Sequence, residues 1–121
     1  MDKTILLIED DNSIREAIQF VLDSEGYQIA VARDGEEGMS MLHNDLKPDV
    51  IILDIMMPVM NGFEFRKAQL NDPQLASIPT IALSADRNFH QQTHSGFQSV
   101  LKKPVELDDL LQSIESALHL S

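Results

Sequence analysis

Apolar residues follow two rhythms along this chain. Ile5-Leu6-Leu7-Ile8 and Val50-Ile51-Ile52-Leu53 are short continuous runs, and Thr80 to Ser84 behaves similarly after Pro79. Such a run between turn residues is the pattern of a strand buried on both faces. Between the runs, apolar residues recur at helical spacing. Ile14, Ala17, Ile18, Val21 and Leu22 form one stripe, and Gly26 is placed to stop that helix. Tyr27 to Ala32 reads as a second, weaker strand. Asp34-Gly35 opens another helix with Met39, Leu42 and Leu46 on its inner face, and Pro48 is expected to end it. Phe63 to Leu70 predicts a third helix. Residues 86–96 are polar and weakly periodic, and take the place of a fourth. Val100-Leu101 makes a short fifth strand. A last helix follows Pro104, with Leu107, Leu110, Leu111, Ile114 and Leu118 on one face. Asp108 and Asp109 sit in its first turn, where the helix dipole favours anions.

This alternation of strand and helix predicts a parallel sheet covered on both faces. Right-handed crossovers restrict it to a doubly wound α/β topology. Ligands in such sheets bind outside the carboxyl ends of the strands. The residues that end each strand are therefore the candidates for chemistry.

The 121 residues suffice for a single domain, 1–121, and no effector domain is expected within them. Cysteine is absent, which excludes a disulfide framework and thiolate metal sites. No apolar run approaches the ~20 residues of a membrane span, and the first residues lack a signal-peptide core. A cytoplasmic protein without membrane contact is the expectation. The net charge of −11 repels phosphate backbones, so direct nucleic-acid binding is not expected.

The strand ends bring together an unusual set. Strand one ends in Glu9-Asp10-Asp11, strand three in Asp54, strand four in Ser84 and strand five in Lys102-Lys103-Pro104. Carboxylates held close repel one another unless something positive intervenes. A hard divalent cation with oxygen ligands meets that need, and Mg²⁺ suits one or two carboxylates with waters and a phosphate. A hydroxyl and a lysine facing a metal-bound carboxylate form a cradle for a transferring phosphoryl group. Asp54, alone at the end of the central strand, is then the candidate nucleophile. Each residue by itself has a plainer role. Asp11 or Asn12 serves as a helix N-cap, Ser84 as a strand-end hydroxyl, and Lys103 as a solvated charge.

Four stretches, "ILLIEDDNSIR", "DVIILDIMMPVMNG", "IPTIALSA" and "LKKPVELDDLL", together resemble the receiver domain of two-component response regulators. The resemblance runs from Thr4 to about Leu118. It implies a flavodoxin-like, five-stranded parallel sheet of order 2-1-3-4-5 with five helices on both faces. It also implies a phosphoacceptor at Asp54 and Mg²⁺ held by Glu9, Asp10, Asp54 and the backbone carbonyl of Met56. Ser84 and Lys103 would attend the phosphoryl group, with a cis Lys103–Pro104 peptide and Lys102 pointing elsewhere. The implied phosphodonor is a histidine kinase or histidine phosphotransfer protein, and the output is contact with a downstream protein. The domain would catalyse only its own phosphorylation and dephosphorylation.

Two features depart from the family pattern. Ser84 and Lys103 lie 19 positions apart, roughly one helical turn fewer than is usual in the family. Val100 stands where the family often has a Tyr or Phe that swings between pocket and surface. Readout here is expected through backbone shifts instead.

Other readings fit less well. A haloacid-dehalogenase-type phosphatase needs a proton-transferring carboxylate two residues after the nucleophile, and Met56 stands there. A flavin module or Walker loop needs a Gly-rich phosphate turn after strand one, where this chain has Glu9-Asp10-Asp11. A receiver-like scaffold that never accepts a phosphoryl group stays open as the alternative. His90 and His94, four apart, read as a solvated helix face, and Met56, Met57 and Met60 as packing for a mobile loop.

Overall fold

A computed structural model of the chain describes residues 3–55, 61–85 and 97–120. Five strands, β1 (Thr4–Ile8), β2 (Gln28–Ala32), β3 (Val50–Asp54), β4 (Thr80–Ser84) and β5 (Ser99–Lys102), form one sheet of order β2-β1-β3-β4-β5. All four pairings are parallel. Four helices are described: α1 (Asn12–Ser24), α2 (Gly35–His43), α3 (Gly62–Leu70) and α4 (Leu107–Leu120). That is one fewer than the five expected. The expected fourth falls at 86–96, outside the described residues, with His90 and His94.

The continuous apolar runs are explained by the two faces of the sheet. Successive strand residues point to opposite sides. Leu6, Ile8, Ile51, Leu53 and Ala82 pack with Met39 and Leu42 of α2 and Phe65 of α3. Ile5, Leu7, Val50, Ile52, Ile81 and Leu83 pack with Ile18 and Leu22 of α1 and Leu110, Ile114 and Ala117 of α4. The inner strands are almost wholly buried, and the edge strands β2 and β5 are half-buried, which accounts for their weaker apolar signal.

Local boundaries follow capping chemistry. The Asp11 side chain accepts from the Ile14 amide and starts α1, and Gly26, at φ 92°, turns the chain after it. Asp34 caps α2. That helix stops at His43, ahead of the expected end at Pro48, because Asn44 closes it and Asp45 takes a left-handed φ of 75°. Leu46 still packs on the core, but from the loop. Asn61 caps α3 in a reciprocal box with Glu64, a signal present in the sequence as Asn-x-x-Glu. In α4, Leu107 is 42% exposed, contrary to expectation, while Ala117 is buried. Leu107 is the first residue of the helix and lies before the turn that meets the sheet.

Away from the strand tips, Gln69 and Thr80 form a buried polar pair with Arg66. Arg66 Nη1 donates to Gln69 Oε1 at 2.8 Å, and Gln69 Nε2 donates to the carbonyls of Leu75 and Ile78. These bonds fix the loop between α3 and β4, so burying the polar groups leaves their main partners satisfied. Gly62 opens α3 hard against the end of β3. A Cβ there would lie 2.8 Å from the Ile55 Cα. A Gly62→Ala variant therefore must push the residue after Asp54 or the helix start, and is expected to lose about 1–3 kcal/mol by urea denaturation. An unchanged midpoint would mean that this approach is looser than described.

Among the described residues no helix is long and apolar enough to cross a membrane.

Candidate functional site

The parallel register puts the carboxyl ends of β1, β3, β4 and β5 along one edge. Ile8 pairs with Leu53, so Glu9 and Asp54 follow side by side. Alternation sends both toward the α1 and α4 face, together with Lys103, and sends Lys102 to the other. Lys102 is exposed, as expected. Glu9 is fully buried, and Asp54 and Ser84 are nearly so, at 2% and 1% exposure. Asp10 is exposed at the rim.

Side-chain oxygens of Glu9, Asp10 and Asp54 all lie within 4.8 Å of one another. Lys103 Nζ sits 2.9 Å from Glu9 Oε1 and 3.1 Å from Asp54 Oδ2. Ser84 ends β4, and its carbonyl accepts the Lys103 amide at 2.8 Å. The Lys103–Pro104 peptide is cis, as expected. Of the expected residues, the fold brings the side chains of Glu9, Asp10, Asp54 and Lys103 together. Met56, expected to offer a carbonyl, lies outside the described residues, as do Met57 and Met60. Val100 is half-buried, opposite Ala82, and packs against the α2–α3 face.

The electrostatics show a site short of positive charge. Burial pushes the Glu9 carboxyl up to about 7. The Lys103 ammonium and the Asp11 amide oppose that rise, while hydrogen bonding to and repulsion from Asp54 add to it. Burial would pull the Lys103 ammonium down, but Glu9 and Asp54 outweigh it and the net shift is upward. One lysine therefore leaves the Glu9–Asp54 pair incompletely neutralised. A donor set made only of carboxylate oxygens, partly buried and still electron-rich, fits a hard divalent cation.

Beside this site, a largely apolar groove is lined by Ile14, Ala17 and Ile18 of α1 and by Lys103, Pro104, Val105 and Leu107. Phe20, on the same helix, is 75% exposed.

Residues 5–115 match the family model of the response regulator receiver domain. The chain belongs to that family. The receiver is 36% identical over 103 residues to the transcriptional regulatory protein AfsQ1 of Streptomyces coelicolor, covering 85% of this chain and 45% of that relative. It thus spans about half the length of that protein. The chemotaxis response regulator CheY4 of Vibrio cholerae superposes with a TM-score of 0.87 at 30% identity, covering 98% of this chain and all of that one. The response regulator TrrA of Thermotoga maritima, solved in complex with Mg(2+)-BeF, gives a TM-score of 0.85 at 28% identity over 96% of this receiver and 99% of that chain. The sheet order and its covering helices are those of this family, and its members act as switches in two-component signalling. The non-switching scaffold is not the favoured reading, since the receiver keeps every described residue of the expected site.

One contributor escaped the sequence reading. Arg15, on α1, reaches back to the carbonyl of Glu9 at 2.9 Å and to the Asn12 side chain. Its spacing from the acidic run was visible, but nothing in the pattern separated it from a solvated helix charge.

Proposed function

We propose that this receiver accepts a phosphoryl group on Asp54 from a phosphohistidine and thereby switches its contacts with a protein partner. The single observation that carries the reading is the convergence of Glu9, Asp10 and Asp54 with Lys103 Nζ bridging two of them. Glu9, Asp10 and Asp54 would hold Mg²⁺, with the Met56 carbonyl as a further ligand, and TrrA's Mg(2+)-BeF complex supports that cation. The ion supplies neutralisation of the phosphoryl oxygens and of the crowded carboxylates.

A carboxylate oxygen of Asp54 attacks phosphorus in line with the leaving imidazole nitrogen. The O–P bond forms as the P–N bond breaks, and the imidazole keeps the electron pair and takes a proton. Lys103, held by Glu9 and Asp54, stabilises charge on the phosphoryl oxygens. Ser84, at the tip of β4, would bond a phosphoryl oxygen through its hydroxyl, and its carbonyl accepts the Lys103 amide. Water later cleaves the acyl phosphate and restores the carboxylate, so the domain processes only itself. Readout with Val100 runs through the Ser84 and Lys103 backbones. The testing experiment is incubation with acetyl phosphate and Mg²⁺, followed by intact mass. One added phosphoryl group is expected, and an unchanged mass would sink the reading.

The α1 groove is the surface on which a histidine kinase or phosphotransfer protein docks, because it is largely apolar and includes Lys103 of the site in its wall. Ala17→Glu, which places a charge on its wall, is expected to slow transfer from a phosphorylated protein donor about tenfold while acetyl phosphate labelling stays unchanged. Equal slowing with both donors would place the defect in the site itself.

A further inference from the structure

We propose that Arg15 is a positioning residue that staples the β1–α1 turn so that Glu9 and Asp10 are held ready for the metal. This inference rests on the metal-assisted reading above and deepens it.

The geometry of the turn carries it. Glu9 continues β1 by donating its amide to the Ala32 carbonyl at 3.1 Å. Ladder pairing of β1 with β3 ends at Ile8 and Leu53. The Glu9 carbonyl, just past that last pair, is taken by Arg15 Nη1 at 2.9 Å. The other guanidinium nitrogen bonds the Asn12 side chain. Helix side chains lean toward the N-terminus, so a residue one turn into α1 is suited to reach back over its own start.

The staple works on both ends of the acidic run. The Glu9 Oε2 accepts the Asp11 amide at 3.1 Å, and Asp11 Oδ1 accepts the Ile14 amide at 3.0 Å. The orientation of the Glu9 carboxylate therefore depends on where the backbone of Asp10 and Asp11 lies. Arg15 ties the Glu9 backbone directly to the helix that Asp11 caps. Asp10, exposed and between these anchors, gets its aim from them. The guanidinium thereby ties the residue that follows β1 to the first turn of α1. Lys103 cannot do this from the opposite side, because its ammonium is committed to Glu9 and Asp54. A planar fork can hold two acceptors at once, which a lysine cannot reproduce.

Groups that orient metal ligands from behind typically change affinity by about 10- to 100-fold when removed. Arg15→Ala is therefore expected to weaken Mg²⁺ binding about tenfold by calorimetric titration of the unphosphorylated protein. The Mg²⁺ concentration for half-maximal acetyl phosphate labelling should rise in parallel, with the rate at saturating Mg²⁺ little changed. Arg15→Lys should recover part of the affinity. In the metal-free protein, the Asp11 amide should exchange faster with solvent in Arg15→Ala, and thermal stability should move little, since the side chain is only half-buried on a helix surface. Unchanged Mg²⁺ affinity in Arg15→Ala would overturn the inference. So would a fall in the saturated rate with no shift in Mg²⁺ dependence, since that marks a role in transfer itself. If the wild-type receiver binds no Mg²⁺, the site reading fails first, which separates the two failures.

Discussion

An Asp54→Asn variant is expected to gain no mass from acetyl phosphate and Mg²⁺ under conditions where the wild-type receiver gains one phosphoryl group. The amide keeps the size and planarity of the carboxylate but has no anionic oxygen to attack phosphorus. Asp54 shares burial and the Lys103 contact with Glu9, and is set apart by ending the central strand. It is 2% exposed and has Lys103 Nζ 3.1 Å away. Asp10 and Asp11 are exposed and have no comparable setting. Loss of the nucleophile removes the whole covalent route, so the effect is essentially complete rather than a matter of a few fold. Comparable labelling of Asp54→Asn would move the phosphoacceptor elsewhere.

Phe65→Ala should cost about 3–5 kcal/mol of stability, read from urea denaturation. Phe65 is fully buried on α3 and belongs to the core that joins that helix to α2 and the sheet. The approach is tight there. A Cβ built on Gly38 of α2 would stand 3.5 Å from Phe65 Cε2 and 2.6 Å from Ile8 Cδ1. With α2 already lying close on β1, its backbone has little distance left to move inward, so truncation leaves a cavity instead of a collapse. Since a domain of this size has only about 5–15 kcal/mol in total, the variant should be close to its folding threshold. A cost below about 1 kcal/mol would show that α3 is free to reseat. The two predictions also differ in reach. Asp54→Asn should leave the fold intact, whereas Phe65→Ala should weaken α3, which begins at the Gly62 contact behind Asp54.

Much of this was readable in the residues. The inner strands β1, β3 and β4 were legible because burial on both faces forces unbroken apolar runs. The edges were harder. β5 is half-buried, so Val100-Leu101 marked only part of Ser99–Lys102. The α2 boundary was misplaced toward Pro48 because apolar spacing continues to Leu46, while the left-handed turn at Asp45 carries no periodic signal. Leu107 looked like a core residue for the same reason. It has the right spacing, but a helix meets the sheet only after its first turn.

The sequence by itself determined the elements, the parallel character of the sheet and the residue types at each strand tip. Those are local properties, set by periodicity, capping and alternation. Tertiary structure decided what no local pattern holds. It set Glu9 beside Asp54 through the register of β1 and β3, brought Lys103 from the far edge strand to bridge them, and turned Arg15 back onto the Glu9 carbonyl. Chain positions 9, 54 and 103 become one site only when the sheet fixes their spacing. The burial that raises the Glu9 carboxyl to about 7, helped by Asp54 and opposed by Lys103, comes into being at the same moment.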